Sequence, residues 1–165
     1  MGRYELATET FTWITPDEQP TMTLHPAPLP NGTSLLVTKI TTSGRTIEEV
    51  PVTGGVATEI RANASSAVLS PDGARIVFAD TSQQSALVVR DLTTDQEVLV
   101  ADVAGTSARW SPDGTQIAYL VGDDQISCSH IDVVAADGSD VASPTRIQDC
   151  VMSGRFITDL AWITR

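Results

Sequence analysis

Covalent hydrolysis needs an exposed Ser or Cys beside a base, and this chain offers two histidines, His25 and His130, and two cysteines, Cys128 and Cys150. No Gly-x-Ser-x-Gly elbow is present. His25 stands in His25-Pro26-Ala27-Pro28, where packing or solvent contact is the expected role. His130 alternates with Cys128 on one face of a strand, but a zinc ion takes about four ligands and the pair lacks a further one. Adjacent antiparallel strands can bring Cys128 and Cys150 within disulfide range, so a bridge and two half-buried thiols both stay open. Asp123-Asp124 and Asp137-Gly138-Ser139-Asp140 gather carboxylates of the kind a calcium ion takes. The second group coincides with a hairpin position where Asp-Gly serves turn geometry alone. Asn31-Gly32-Thr33 and Asn63-Ala64-Ser65 match the glycosylation tripeptide and receive no function. The residues therefore predict a non-enzymatic chain with no catalytic constellation, no cofactor and no metal.

The elements that must position these residues are set by a repeated turn. Leu29-Pro30-Asn31-Gly32, Ser70-Pro71-Asp72-Gly73 and Ser111-Pro112-Asp113-Gly114 recur with a spacing of 41 residues, which makes the chain a tandem array. Proline presets φ, Asp or Asn bonds its own backbone, and Gly supplies the positive φ of the reversal. Each turn feeds an apolar triplet: Leu35-Leu36-Val37, Ile76-Val77-Phe78 and Ile117-Ala118-Tyr119. Apolar residues on both faces predict strands covered on both sides. A second run follows each triplet (Ile47–Val52, Leu87–Leu92, Ile131–Val134), then a third (Val56–Ile60, Glu97–Val100, Val141–Ile147). A short segment ahead of the next turn completes four strands per period (Ala67–Leu69, Ala108–Trp110, Leu160–Trp162).

A four-stranded antiparallel unit of about 40 residues in tandem is the pattern of a β-propeller blade. Ser70-Pro71-Asp72-Gly73-Ala74-Arg75-Ile76-Val77-Phe78, Trp110-Ser111-Pro112-Asp113-Gly114-Thr115-Gln116-Ile117-Ala118-Tyr119 and the hairpin Val50-Pro51-Val52-Thr53-Gly54-Gly55 resemble the TolB-like, WD-repeat-like β-propeller family over roughly residues 22 to 162. Blade 1 departs from the motif at Leu29 and Asn31. The expected fold is all-β: a single partial β-propeller domain over residues 1–165, with turns near 30, 71 and 112. Partial blade strands are expected at 3–14 and 156–163, and Trp13-Ile14-Thr15 echoes Trp162-Ile163-Thr164. Three periods fall short of a closed ring. The array is thus either a piece of a larger propeller, which the reading favours, or a half-ring that a homodimer closes, removing open edges by symmetry.

The resemblance implies a non-enzymatic module for protein or peptide interaction and, with less weight, an exported (periplasmic or secreted) setting, while a composition with Lys39 as the one lysine and rich in Ala, Val and Thr points to a bacterial source. A second implication is a gating propeller of a prolyl-oligopeptidase-type serine peptidase whose catalytic domain lies elsewhere. A third is a propeller hydrolase with a metal in its central channel. The chain is acidic, with a net charge of −11 from 21 acidic and 10 basic residues. Nucleic acid and anionic membrane surfaces call for basic patches, so both are poor partners, and no run is long enough for a membrane span. Met1-Gly2-Arg3-Tyr4-Glu5-Leu6 lacks the apolar core of a signal peptide. Successive hairpins send loops to two ends of the array, and the end with variable loops is favoured for binding. Its candidate residues are Arg61, Asn63, Asp80, Gln83, Asp102, Asp123, Asp124 and Arg155.

Overall fold

The computed structural model describes residues 1–14, 22–102, 105–123, 128–148 and 160–162, and among them every regular element is a strand. The chain divides into two compact units, Met1–Ala67 and Val68–Arg165. The 41-residue period becomes three antiparallel meanders of four strands. Blade 1 is β3 (Met22–Pro28), β4 (Ser34–Thr41), β5 (Gly44–Pro51) and β6 (Thr58–Ala62). Blade 2 is β7 (Ala64–Leu69), β8 (Arg75–Asp80), β9 (Ala86–Asp91) and β10 (Glu97–Ala101). Blade 3 is β11 (Gly105–Trp110), β12 (Gln116–Asp123), β13 (Cys128–Ala135) and β14 (Thr145–Gln148). The register repeats with the motif: Leu35 faces Val50, Ile76 faces Arg90 and Ile117 faces Val134 across the central strand pairs.

The stretch 3–14 alternates as one strand would, yet it forms a hairpin, β1 (Gly2–Glu5) paired with β2 (Thr10–Trp13). The reversal runs through Leu6-Ala7-Thr8-Glu9, with Glu9 at φ 52°. Of the segment expected at 156–163, residues 160–162 are described, and they lie outside any strand.

The turns close as their chemistry dictates. Gly73 N donates to Ser70 O and Gly114 N to Ser111 O, each at 2.9 Å, with Gly73 at φ 71° and Gly114 at φ 69°. Asp72 Oδ1 accepts from Ser70 Oγ (2.5 Å) and Ala74 N (3.1 Å), and Asp113 repeats this with Ser111 Oγ (2.6 Å) and Thr115 N (3.1 Å). Asn31 does the same work in blade 1, its Oδ1 accepting from Thr33 N and Ser34 N.

A further periodic feature is a bulge in the first strand of the blades. The register slips between Leu24 and Ala27 in β3 and between Thr106 and Arg109 in β11, positions two periods apart. His25, Ser66 and Ser107, each one period on from the last, have φ of 53°, 58° and 51°. His25 is thus the solvent-exposed bulge residue of its blade.

The second unit has one continuous core between its two blades. Val77, Ala79, Leu87, Val89 and Val100 of blade 2 meet Ala108, Trp110, Ile117, Tyr119 and Val134 of blade 3. Two polar contacts seal this junction: Trp110 Nε1 donates to Val68 O at 3.0 Å, and the Arg75 guanidinium lies 5.0 Å from the Trp110 ring while Nη2 donates to Gly114 O at 2.9 Å. Trp162 Nε1 donates to Arg109 O at 3.1 Å. Arg109 stands 41 residues after Val68, so Trp162 repeats on blade 3 the bond that Trp110 makes on blade 2. In the first unit, Ile14 packs with Val37 and Val50 against Met1, Leu35 and Ala57.

Candidate functional site

Apolar surface left open is the first place to look for a binding role. In the first unit it includes Met22 and Val56 and, on the β1–β2 hairpin, Leu6, Phe11 and Trp13, which are 85%, 55% and 65% exposed. Phe11 and Trp13 alternate on one face of β2, edge to face with ring centroids 5.0 Å apart. The Phe11 ring lies across Gly2, where a Cβ would fall 2.1 Å from Cζ. The glycine therefore makes room for the aromatic face. Arg3 and Glu5 alternate onto the opposite face and pair at 3.4 Å. Beside that polar face a groove of about 560 Å³ is lined by Arg3, Glu5, Leu6, Ala7, Gly32 and Val52. A second groove of about 480 Å³ holds Asn31, Ser34, Glu49 and Thr58. In it Ser34 Oγ donates a short hydrogen bond to Glu49 Oε1, which also accepts from Asn31 Nδ2 at 3.3 Å.

The sequence-derived candidates lie elsewhere. Arg61, in β6, donates through Nη1 to Ala62 O at 2.7 Å, and Asn63, at φ 52°, joins β6 to β7. Asp80 ends β8 and is 1% exposed. Its carboxylate accepts from Ser82 N (2.9 Å), Ser82 Oγ (2.6 Å) and Gln83 Nε2 (3.4 Å), which shapes the loop after the strand. Asp102 is exposed after β10, and Asp123 ends β12. Asp124 and Arg155 lie outside the described residues, as does Cys150; the side chain of its suggested disulfide partner Cys128 is likewise outside them. Neither groove is lined by any of these residues. No group of three or more His, Cys, Asp or Glu fit to hold a metal ion occurs among the described residues.

Hydrogen bonds within the turns lower the pKa of four aspartates. The Ser111 hydroxyl, then the Thr115 N–H and hydroxyl, hold Asp113 down at about 2. Asp72 is lowered by Ser70 and the Ala74 N–H, Asp91 by the N–H groups of Thr94 and Thr93, and Asp137 by the side chain and N–H of Ser139. Asp137-Gly138-Ser139-Asp140 is accordingly built as a turn, with Asp140 Oδ1 accepting from Ala135 N at 2.8 Å.

One polar cluster spans two strands and has no contiguous motif. His130 and Asp132 on β13 meet Arg146 on β14, with Asp132 6% exposed at its side chain. The signal in the sequence is a His-x-Asp pair inside an otherwise apolar strand, while the arginine arrives only through the register of the next strand.

Blades of this geometry define the class as a β-propeller, present here as an incomplete ring. Comparison with solved structures narrows it. A protein described as TolB from Agrobacterium tumefaciens matches with a TM-score of 0.59 and 23% identity, over 73% of this chain and 44% of that one. TolB from Acinetobacter baumannii matches at 0.63 and 17%, over 86% and 35%. Acylaminoacyl peptidase from Pyrococcus horikoshii matches at 0.59 and 18%, over 78% and 25%. The fold is that of a TolB-like β-propeller, and the chain spans less than half the length of each of these proteins. No family model matches the chain, and no curated protein does.

Proposed function

We propose that this chain is a non-enzymatic propeller module that binds a protein or peptide. The observation that carries this reading is the aromatic face of the first hairpin, where Phe11 and Trp13 stand exposed above Gly2 beside a strand edge that no other described strand pairs with. Exposed aromatic side chains give much contact area for little lost rotamer freedom, and an open edge offers backbone hydrogen bonds to an extended segment. The TolB likeness supports the same role and an extracytoplasmic setting. Panning a phage-displayed random peptide library against the intact chain tests it. Enrichment of peptides that fail to bind a Phe11→Ser, Trp13→Ser variant is expected, and no enrichment, or enrichment that the variant retains, would overturn it.

A second reading rests on the likeness to the P. horikoshii peptidase, a protein four times as long as the matched part. Here the blades gate access to a hydrolase domain encoded in the same reading frame. A Gly-x-Ser-x-Gly domain in that frame decides for this reading, and a frame without one decides against it.

A further inference from the structure

We propose that β14 is an acid-releasable outer strand, latched to blade 3 by Arg146 bound across His130 and Asp132. This inference is independent of what the module binds. Among the described residues three pairs join β14 to β13, with a register slip between Ile131 and Asp132, and all four residues of β14 are exposed. Side chains supply the rest. Arg146 Nε donates to Asp132 Oδ1 at 3.2 Å, and Arg146 Nη2 lies 2.7 Å from His130 Nε2. A guanidinium has donors only, so the second contact requires the lone pair of a neutral ring whose proton sits on Nδ1.

Protonation at Nε2 removes that acceptor and sets two N–H donors, each on a cation, against one another. The new N–H has a partner in reach, because Asp132 Oδ2 is 3.3 Å from the same nitrogen. The buried carboxylate offers Oδ1 to Arg146 and Oδ2 to the ring, so protonation leaves Asp132 shared with an imidazolium, removes the Nη2 contact and sets a second cation beside Arg146. The hold on β14 weakens by that lost contact and that repulsion. The other groups near the cluster do not compete for this proton. Tyr119, opposite Asp132 on β12, has its hydroxyl pushed up to about 12, first by burial and then by Asp132, and stays neutral. Asp140 is bonded to Ala135 N, Val121 is the cross-strand neighbour of His130, and blade 2 contributes the apolar Val77, Ala79, Leu87, Val89 and Val100 to the packed face. Histidine is the side chain whose charge ordinarily changes between pH 5 and 8. Release bares the outer edge of β13, the kind of edge that extended segments pair with.

Hydrogen exchange on the intact chain at pH 7.5 and 5.5, corrected for intrinsic rates, tests this. Protection of residues 145–148 is expected to fall in the wild type, while the 70–75 and 111–116 turns keep theirs. His130→Gln should abolish the pH response, and Arg146→Ala should leave the strand poorly protected at both pH values. Equal wild-type protection at the two pH values, or an undiminished response in either variant, overturns the proposal. Should His130→Gln fail to fold, the Arg146→Ala comparison decides alone.

Discussion

Left-handed backbone at His25, Ser66 and Ser107 is strain distributed by the repeat, since L-residues pay about 1–2 kcal/mol for that conformation. Ser66→Gly should therefore raise stability by up to about 1 kcal/mol, and Ser66→Val, branched at Cβ, should lower it by about 1–3 kcal/mol, both read from urea midpoints. Equal midpoints for the three proteins would mean that the bulge relaxes freely. This bulge was not legible in the sequence, because a histidine and two serines share no side-chain signature and only the backbone has a common demand. Pro-Asp-Gly was legible for the opposite reason, each side chain having a local task. Asp113, held at about 2 against an ordinary 3.8, binds its proton less readily folded than unfolded. Its contribution is full above about pH 4 and is lost as pH falls toward 2. Asp113→Asn should keep the turn, as Asn31 does in blade 1, and lose that acid dependence. Melting temperatures of the two proteins should thus converge between pH 4 and 2, and parallel curves would show that the carboxylate charge is irrelevant there.

Between strands, close approach decides which glycines matter. Gly32 and Gly138 have nearly the same φ, 67° and 73°, but a Cβ on Gly32 meets nothing within 4 Å, whereas one on Gly138 falls 2.6 Å from Leu99 O and 2.7 Å from Val98 Cγ1. Gly32→Ala should cost only the backbone term, about 1–2 kcal/mol. Gly138→Ala should add overpacking of about 1–3 kcal/mol, because blade 2 must shift away from the turn of blade 3. Calorimetry showing equal losses would mean that this junction yields easily. The elements were readable where period and turn chemistry agreed, as in β4, β8 and β12. They were not readable at β1–β2, whose reversal through Ala7-Thr8-Glu9 has no Gly, Pro or Asn to announce it. The His130–Asp132–Arg146 cluster failed for another reason: which residue of β14 meets Asp132 depends on a register slip, and no local pattern encodes a slip.

Tandem repeats bury their faces against neighbours, so behaviour in solution depends on faces that have none. Blade 2 and blade 3 show what a satisfied junction is: an apolar face on each side and an indole bonded to a carbonyl of the blade before. Trp162, bonded to Arg109 O, makes the matching contact on blade 3. The hairpin presents the converse, Phe11 and Trp13 on a face of two strands with no blade against it among the described residues. Closed propellers use about four to eight blades, and the three described blades leave apolar faces for a second copy of the array to cover. The array should therefore self-associate head to tail at high concentration, through apolar burial that salt does not weaken. Sedimentation velocity should show dimers or larger species whose fraction grows with loading, and Phe11→Ser with Trp13→Ser should return a monomer of unchanged circular dichroism. A wild-type monomer across the same range would show that the aromatic face is already satisfied in solution, and the two-half-ring arrangement would then be untenable.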